Sequence, residues 1–178
     1  RSPRGIAFNA SGDVFVADHD NGRIQVFSST GTHIRTFGGG TLSAPNGIAI
    51  AANGEVFVTD EAIDQVFVFD QTGALQRSFG SSGSGPGQIT LGENIAVNGT
   101  HVFVTDESLN RISRFTLAGA FVNSWSTVPP IPGMSTPQDI GKPGKAPRVS
   151  LEVTDAAELK LRQRGILLMC CALVCFAC

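Results

Sequence analysis

A five-residue pattern that occurs three times constrains the fold of this chain more than any other feature. Three apolar residues, an alanine or threonine and an aspartate follow one another at Val14–Asp18, Val56–Asp60 and Val102–Asp106. A short run of β-branched and aromatic residues that ends at a polar residue predicts a buried strand. Because the copies begin 42 and then 46 residues apart, the sequence predicts a chain built from repeated units.

The segments around each copy predict four short strands per unit. In the first unit we expect strands at Gly5–Phe8, Val14–Ala17, Arg23–Phe27 and His33–Phe37, separated by turns rich in glycine, asparagine and serine. The same segments return twice, so the units span about residues 3–40, 44–81 and 90–126. Four antiparallel strands per unit are typical of propeller blades. The predicted fold class of residues 1–126 is all-β, a partial β-propeller of three four-stranded antiparallel blades.

The first unit also resembles a known repeat. It combines a proline, a Gly-Ile-Ala strand, a turn glycine, the Val-to-Asp run and an Arg-Ile-Gln-Val-Phe strand, at Pro3, Gly5–Ala7, Gly12, Val14–Asp18 and Arg23–Phe27. This pattern, with the joint at Ser84–Gln88, resembles the NHL repeat. The resemblance implies a β-propeller, usually of six blades, that serves as a platform for protein or RNA partners. One branch of that family, the peptidylglycine lyases, is enzymatic.

The composition disfavours two of the roles that the resemblance allows. The lyase branch would need several histidines for a metal and a catalytic tyrosine, whereas this chain has three scattered histidines and no tyrosine. Residues 1–126 hold 7 arginines, no lysine and 11 acidic residues, a formal charge of −4. Proteins that bind nucleic acid normally carry a clustered basic surface, so this balance disfavours nucleic acid as the main partner, although it leaves a local basic patch open.

The loops after the Val-to-Asp runs are the best candidate for a binding surface, because they bring 7 of those 11 carboxylates to one face. We expect the leading aspartates, Asp18, Asp60 and Asp106, to be structural acceptors for backbone N–H groups. The less constrained loop positions are the predicted partner-binding residues: His19, Asp20, Glu61, Asp64, Glu107 and Asn110. A basic peptide suits such a face, and calcium is an alternative ligand. We assign no catalytic residue, no metal ligand and no cofactor.

The sequence therefore favours a non-catalytic interaction scaffold that binds a protein or peptide through the loop face of a propeller. Two alternatives stay open at this stage. One is an RNA-binding propeller of the same family. The other is a fragment of a calcium- or zinc-dependent lyase-like enzyme.

A linker is predicted over residues 127–149. Its Thr136–Ile140 segment matches the start of a blade, but the proline- and glycine-rich segment after Ile140 does not continue a strand pattern. We expect truncation, mis-splicing or a frame change there rather than a native appendage, and the start at Arg1 suggests that the gene begins upstream. Three blades form an arc, so the outer faces of the first and third blades would be exposed and prone to self-association, for example as two arcs in a six-blade ring.

A helical apolar tail is predicted over residues 150–178. Asp155 and Glu158 have the spacing of a capping box, and the run at 165–178 lacks polar side chains. Its 14 residues would cover only about 21 Å of a ~30 Å membrane core, so an apolar helix on an exposed blade face is favoured over a membrane tail anchor. All four cysteines lie here, in an arrangement that fits neither a zinc site nor a lipid anchor well. The compartment stays undetermined, with the cytoplasm slightly favoured.

Overall fold

The computed structural model describes residues 2–128, which form three antiparallel sheets of four strands each, and the predicted three-blade arrangement is confirmed. Blade 1 contains β1 (Pro3–Phe8), β2 (Val14–Asp18), β3 (Arg23–Phe27) and β4 (His33–Phe37). Blade 2 contains β5 (Pro45–Ile50), β6 (Val56–Asp60), β7 (Gln65–Phe69) and β8 (Leu75–Phe79). Blade 3 contains β9 (Gly92–Val97), β10 (His101–Asp106), β11 (Arg111–Thr116) and β12 (Phe121–Ser126).

Within each blade the strands pair in chain order, so the chain reverses direction at every strand. The turns between the first and second strands of blades 1 and 2 each need a residue with positive φ, which Gly12 supplies at +83° and Gly54 at +88°. The connection between β2 and β3 is a single 3-10 turn, His19–Asn21. This alternation puts the connections from second to third strands on the same face as the joints between blades, and we call that face the loop face. The tight turns lie on the opposite face, which we call the turn face.

Each blade presents a forward face to the blade that follows it and a backward face to the blade that precedes it. At the first boundary the forward side chains Ala7, Phe15, Ala17, Ile24, Val26 and Phe37 pack against the backward side chains Ile48, Ile50, Val56, Val58, Phe67 and Phe69, and all but Ala7 and Ile50 are buried. The second boundary repeats this packing between blades 2 and 3. As a result every residue of β6 is buried, whereas burial alternates along β2 and is incomplete along β10.

The first strands of neighbouring blades approach so closely that only glycine fits at their contact. A Cβ built on Gly5 would lie 2.5 Å from the carbonyl oxygen of Asn46 in the next blade. Gly47 repeats this contact against β9, where a Cβ would lie 2.8 Å from the Glu93 carbonyl oxygen. The small residues that the sequence places in the first strands are therefore required by the packing of blade on blade.

Two arginines tie the outer strands of successive blades together. Arg35 in β4 donates a hydrogen bond to the backbone carbonyl of Gln71 in blade 2, and Arg77 in β8 donates one to that of Leu117 in blade 3 at 2.6 Å. Each guanidinium carbon also lies 5.8 Å from the centroid of a phenylalanine ring in its own blade. These arginines add a polar and cation–π component to an otherwise apolar boundary.

The remaining predictions about architecture fall outside the described residues. They are the aborted fourth blade and most of the 127–149 linker, the helix at 150–178 and the membrane tail at 165–178. Within residues 2–128, no helix has the length and apolar character that crossing a membrane requires.

Candidate functional site on the loop face

The aspartate that ends the second strand is buried and tied to its own blade. Asp60 is 1% exposed, and its carboxylate accepts hydrogen bonds from the backbone N–H groups of Ser43, Ala44 and Ala62 at 2.7–3.1 Å. Asp106 repeats this arrangement, with one N–H donor in the joint before its blade and one in its own loop. Each of these two carboxylates therefore holds the incoming joint against the second strand and has a structural role.

The corresponding carboxylate of blade 1 has side-chain donors. Asp18 accepts hydrogen bonds from Asn21 Nδ2, Arg23 Nε and Gln25 Nε2 at 2.7–2.8 Å. Burial opposes ionisation of this carboxyl group, but the hydrogen bonds it accepts outweigh burial and hold the pKa of Asp18 well below its usual range. An ionised Asp18 is therefore part of the folded blade.

His19 links two blades through a chain of polar side chains. Its Nδ1 lies 2.9 Å from Asp20 Oδ1, and its Nε2 lies 2.7 Å from Glu61 Oε1 in blade 2. Glu61 Oε2 in turn accepts a hydrogen bond of 2.8 Å from Asn46 Nδ2. A neutral imidazole has one N–H, so only the imidazolium donates to both carboxylates. The hydrogen bonds to Asp20 and Glu61 accordingly raise the pKa of His19 above its ordinary value.

Glu93 and Glu107 bring two further carboxylates together in blade 3. Partial burial, a hydrogen bond with Glu107 and the negative charges of Glu107 and Glu61 all raise the pKa of Glu93, and the charge of Arg4 opposes that rise only in part. Carboxylates that crowd one another in this way disfavour full ionisation. This part of the surface therefore carries more negative charge than its own cations balance.

Two repeat positions build this group of side chains. One is the residue after each leading aspartate, His19, Glu61 or Glu107, and the other is the residue before each first-strand Gly5, Gly47 or Asn94. With Asp20 they form the loop-face cluster: Arg4, His19, Asp20, Asn46, Glu61, Glu93 and Glu107. Sequence reasoning identified His19, Asp20, Glu61 and Glu107 but missed Arg4, Asn46 and Glu93. The sequence did offer one signal for these three residues: they occupy the same repeat position, and its residue type differs in every copy.

Asp64 and Asn110, the other two predicted partner-binding residues, have a conformational reason for their identity. They have φ values of +58° and +48°, and the equivalent Gly22 has +57°. Aspartate, asparagine and glycine tolerate this left-handed conformation better than other residues. The described contacts do not bring Asp64 or Asn110 into the loop-face cluster, and their role in recognition stays a prediction.

The cluster can attract a cation, and its side chains are partly accessible. The His19 and Glu61 side chains are 16% and 22% exposed, and Asp20 is 49% exposed. Among residues 2–128, no group of three or more histidine, cysteine, aspartate or glutamate side chains is arranged to hold a metal ion. The arrangement suits a solvent-accessible, charge-based contact with an extended cationic group.

The link between His19 and Glu61 predicts a pH-dependent stability difference. Because the folded-state pKa of His19 is raised, its stabilising contribution is complete below the unfolded value of about 6.5 and is lost as pH rises through the folded-state pKa. His19→Gln should therefore lower the melting temperature by about 2–5 °C at pH 5.5, and this difference should shrink by pH 9. Thermal melts across this pH range test it. His33→Gln, at an exposed histidine that bonds Thr36 of its own strand, is the control; a His19→Gln effect independent of pH would contradict the prediction.

Two family models match separate parts of this chain. The NHL repeat family matches residues 1–27, and a family described as a 6-bladed beta-propeller matches residues 42–128. The resemblance of the first unit to the NHL repeat is thus confirmed over residues 1–27, and the propeller fold is supported by the match over residues 42–128. No curated protein matches this NHL-repeat chain.

Solved structures share the fold of the NHL-repeat chain at low sequence identity. A virginiamycin B lyase from Staphylococcus aureus is 17% identical with a TM-score of 0.57, and the match covers 70% of this chain and 41% of the lyase. A streptogramin B lyase is 18% identical with a TM-score of 0.56, covering 68% and 39%. A glutaminyl cyclase from Myxococcus xanthus is 15% identical with a TM-score of 0.54, covering 68% and 51%. This NHL-repeat chain thus spans about half or less of these proteins, and the likeness concerns the fold.

Proposed function

We propose that this NHL-repeat chain is a non-catalytic interaction scaffold that binds a protein or peptide partner through its loop face. A lysine or arginine side chain of the partner would sit in the loop-face cluster. The observation that carries the proposal is the convergence of the carboxylates of Asp20, Glu61, Glu93 and Glu107, contributed by all three blades, around the cations Arg4 and His19.

The electrostatics of Glu93 support a cationic ligand. Its pKa is raised by burial and by the charges of Glu107 and Glu61, so ionisation of Glu93 is unfavourable when no partner is bound. A partner ammonium or guanidinium group placed among these carboxylates would relieve that repulsion and form charge-assisted hydrogen bonds. An RNA partner is less favoured, because the same carboxylates repel its phosphates. The proposal includes no cofactor, so calcium should not be needed for binding.

Proton-transfer catalysis is a second candidate, and His19 is the observation that favours it. An imidazole held between the carboxylates of Asp20 and Glu61, which raise its pKa, is a suitable proton donor. The two candidates differ in what His19 does. In a scaffold for cationic partners, the positive charge of His19 opposes binding, so His19→Gln should tighten binding of a basic peptide. For a catalyst, the same change should abolish turnover.

The scaffold proposal is tested by fluorescence anisotropy with the full chain and three labelled probes: a short peptide rich in lysine and arginine, a glutamate-rich peptide of equal length, and a single-stranded RNA. We expect binding of the basic peptide alone, weakening about 3–10-fold between about 50 and 200 mM salt and unchanged when EDTA replaces calcium. Binding of the RNA instead of the basic peptide would overturn the proposal, and loss of peptide binding in EDTA would assign the face to calcium.

A further inference from the structure

Two blade faces lack a covering blade within residues 2–128. The backward face of blade 1 consists of Ile6, Phe8, Val14, Val16, Gln25 and Phe27. The forward face of blade 3 consists of Ala96, Phe103, Thr105, Ile112, Arg114 and Trp125. Phe8 is 63% exposed and Trp125 is 43% exposed, which are high values for large apolar side chains. These faces occupy the same repeat positions as the two halves of each internal boundary.

Both internal boundaries contain the same contact between an aromatic ring and a glycine turn. At the first boundary, Phe37 lies with its ring centroid 5.3 Å from that of Phe69, and Gly73 lies so close to Phe37 that a Cβ would collide with it. At the second boundary, Phe79 lies 5.0 Å from Phe115, and a Cβ on Gly119 would lie 2.7 Å from the Phe79 ring. A fourth-strand aromatic ring thus fits over the third-to-fourth turn of the next blade.

Both halves of a third such contact are present within residues 2–128, where neither meets its counterpart. Trp125 has the repeat position of Phe37 and Phe79, and its ring lies 6.2 Å from Phe103 of its own blade, as Phe37 lies 6.3 Å from Phe15. At the opposite end of the arc, no atom lies within 4 Å of a Cβ built on Gly31, the equivalent of Gly73. Phe27, the equivalent of Phe69, is half-buried.

We propose that the forward face of blade 3 docks on the backward face of blade 1 in a second copy of this chain. Trp125 of one copy would then pack on Phe27 and over Gly31 of the other. Two such contacts, related by a twofold axis, close a ring of two arcs, because each contact joins different faces and the ring leaves neither face exposed. A closed ring of this size agrees with the 6-bladed description of the family that matches residues 42–128.

The third boundary should be weaker than the internal ones, because Arg114 stands where they have Val26 or Val68 and Gln25 stands where the first has Phe67. Two further differences add to this. Asn94 stands where Gly5 and Gly47 allow close approach, so its side chain would press on the Arg4 backbone of the second copy. Asn123 stands where Arg35 and Arg77 donate across the boundary. The dimer should therefore dissociate on dilution, and Asn94→Gly should tighten it.

Sedimentation velocity and tryptophan fluorescence of the full chain test this proposal across a concentration series. Trp125 is the only tryptophan, so its emission reports the contact directly. We expect twice the mass of the chain at high concentration, with emission that shifts to shorter wavelength as the dimer forms. Phe27→Asp should abolish both signals. Leu75→Asp should leave both unchanged, because Leu75 is 49% exposed on blade 2, whose faces are already covered.

Asn94→Gly should lower the dissociation constant of the dimer by about 3–10-fold. Because a misfolded variant would not associate more tightly, this result cannot come from a failure to fold. A chain that stays monomeric with constant Trp125 emission at every concentration would overturn the proposal. Association that persists in Phe27→Asp would also overturn it, because another segment, such as the apolar run at 165–178, would then hold the copies together.

Discussion

Replacing Gly47 by alanine is expected to destabilise the folded chain by about 2–4 kcal/mol. A Cβ at this position would lie 2.8 Å from the Glu93 carbonyl oxygen and 2.9 Å from the Asn94 Cα and the Ile95 nitrogen. All three atoms belong to the backbone of β9, so they cannot move without separating the first strands of blades 2 and 3. The separation would also loosen the apolar boundary behind them.

Urea unfolding followed by far-ultraviolet circular dichroism measures this loss. Gly99→Ala is the matched control, because no atom lies within 4 Å of a Cβ built there and Gly99 is exposed. We expect the control to unfold within about 0.5 kcal/mol of the wild type. Equal effects of the two substitutions would mean that the close approach of β5 and β9 does not exist in solution.

Asp60→Ala should lower the free energy of unfolding by about 3–5 kcal/mol. The substitution removes the acceptor of three backbone N–H groups, those of Ser43, Ala44 and Ala62, at a position that is 1% exposed. Water cannot replace the carboxylate without opening the joint between blades 1 and 2. Unpaired N–H groups and a loosened joint should lower both the midpoint and the cooperativity of unfolding.

Asp70→Ala is the control for Asp60. Asp70 also accepts backbone hydrogen bonds, from the N–H groups of Thr72 and Ala74, but it does so in an exposed turn where water can take its place. Urea unfolding of both variants should show a clearly larger loss for Asp60→Ala. A loss for Asp70→Ala as large as that for Asp60→Ala would show that burial of the acceptor is not what makes Asp60 important.

The blades were predictable because local signals agree with one another in each copy. The strand pattern of Val56–Asp60 and the turn glycines give the four-stranded unit, and recurrence at 42 and 46 residues gives the repeat. The ends of some strands differ from the predicted ones: β1 begins at Pro3 and β10 at His101. At these ends the strand pairing extends past the apolar run, and side-chain pattern does not report backbone pairing.

The site was predictable only in part, because it is assembled between blades. Glu61 and Glu107 each follow a recognisable strand, so their sequence position alone predicts that they lie on the loop face. Glu93 comes from a first strand, and its approach to Glu107 and Glu61 depends on how β9 packs beside β5. The bridge from His19 to Glu61 crosses a blade boundary and spans 42 residues. Contacts of this kind follow from tertiary packing, which a strand pattern does not specify.

The measurement that tests the central claim most directly is the dissociation constant of the labelled basic peptide for two charge-matched triple variants. One variant neutralises the loop-face cluster, as Glu61→Gln, Glu93→Gln and Glu107→Gln. The other neutralises the same number of carboxylates on the turn face, as Asp13→Asn, Glu55→Gln and Asp70→Asn. Circular dichroism first verifies that both variants are folded at the assay temperature.

Because binding is assigned to the loop-face cluster, we predict that its triple variant binds the peptide at least about tenfold more weakly. The turn-face variant should stay within about twofold of the wild type, because it changes the net charge equally but lies on the opposite face. Equal weakening by both variants would show that binding depends on the net charge of the chain and not on the loop-face cluster. An unchanged dissociation constant in the loop-face variant would contradict the account.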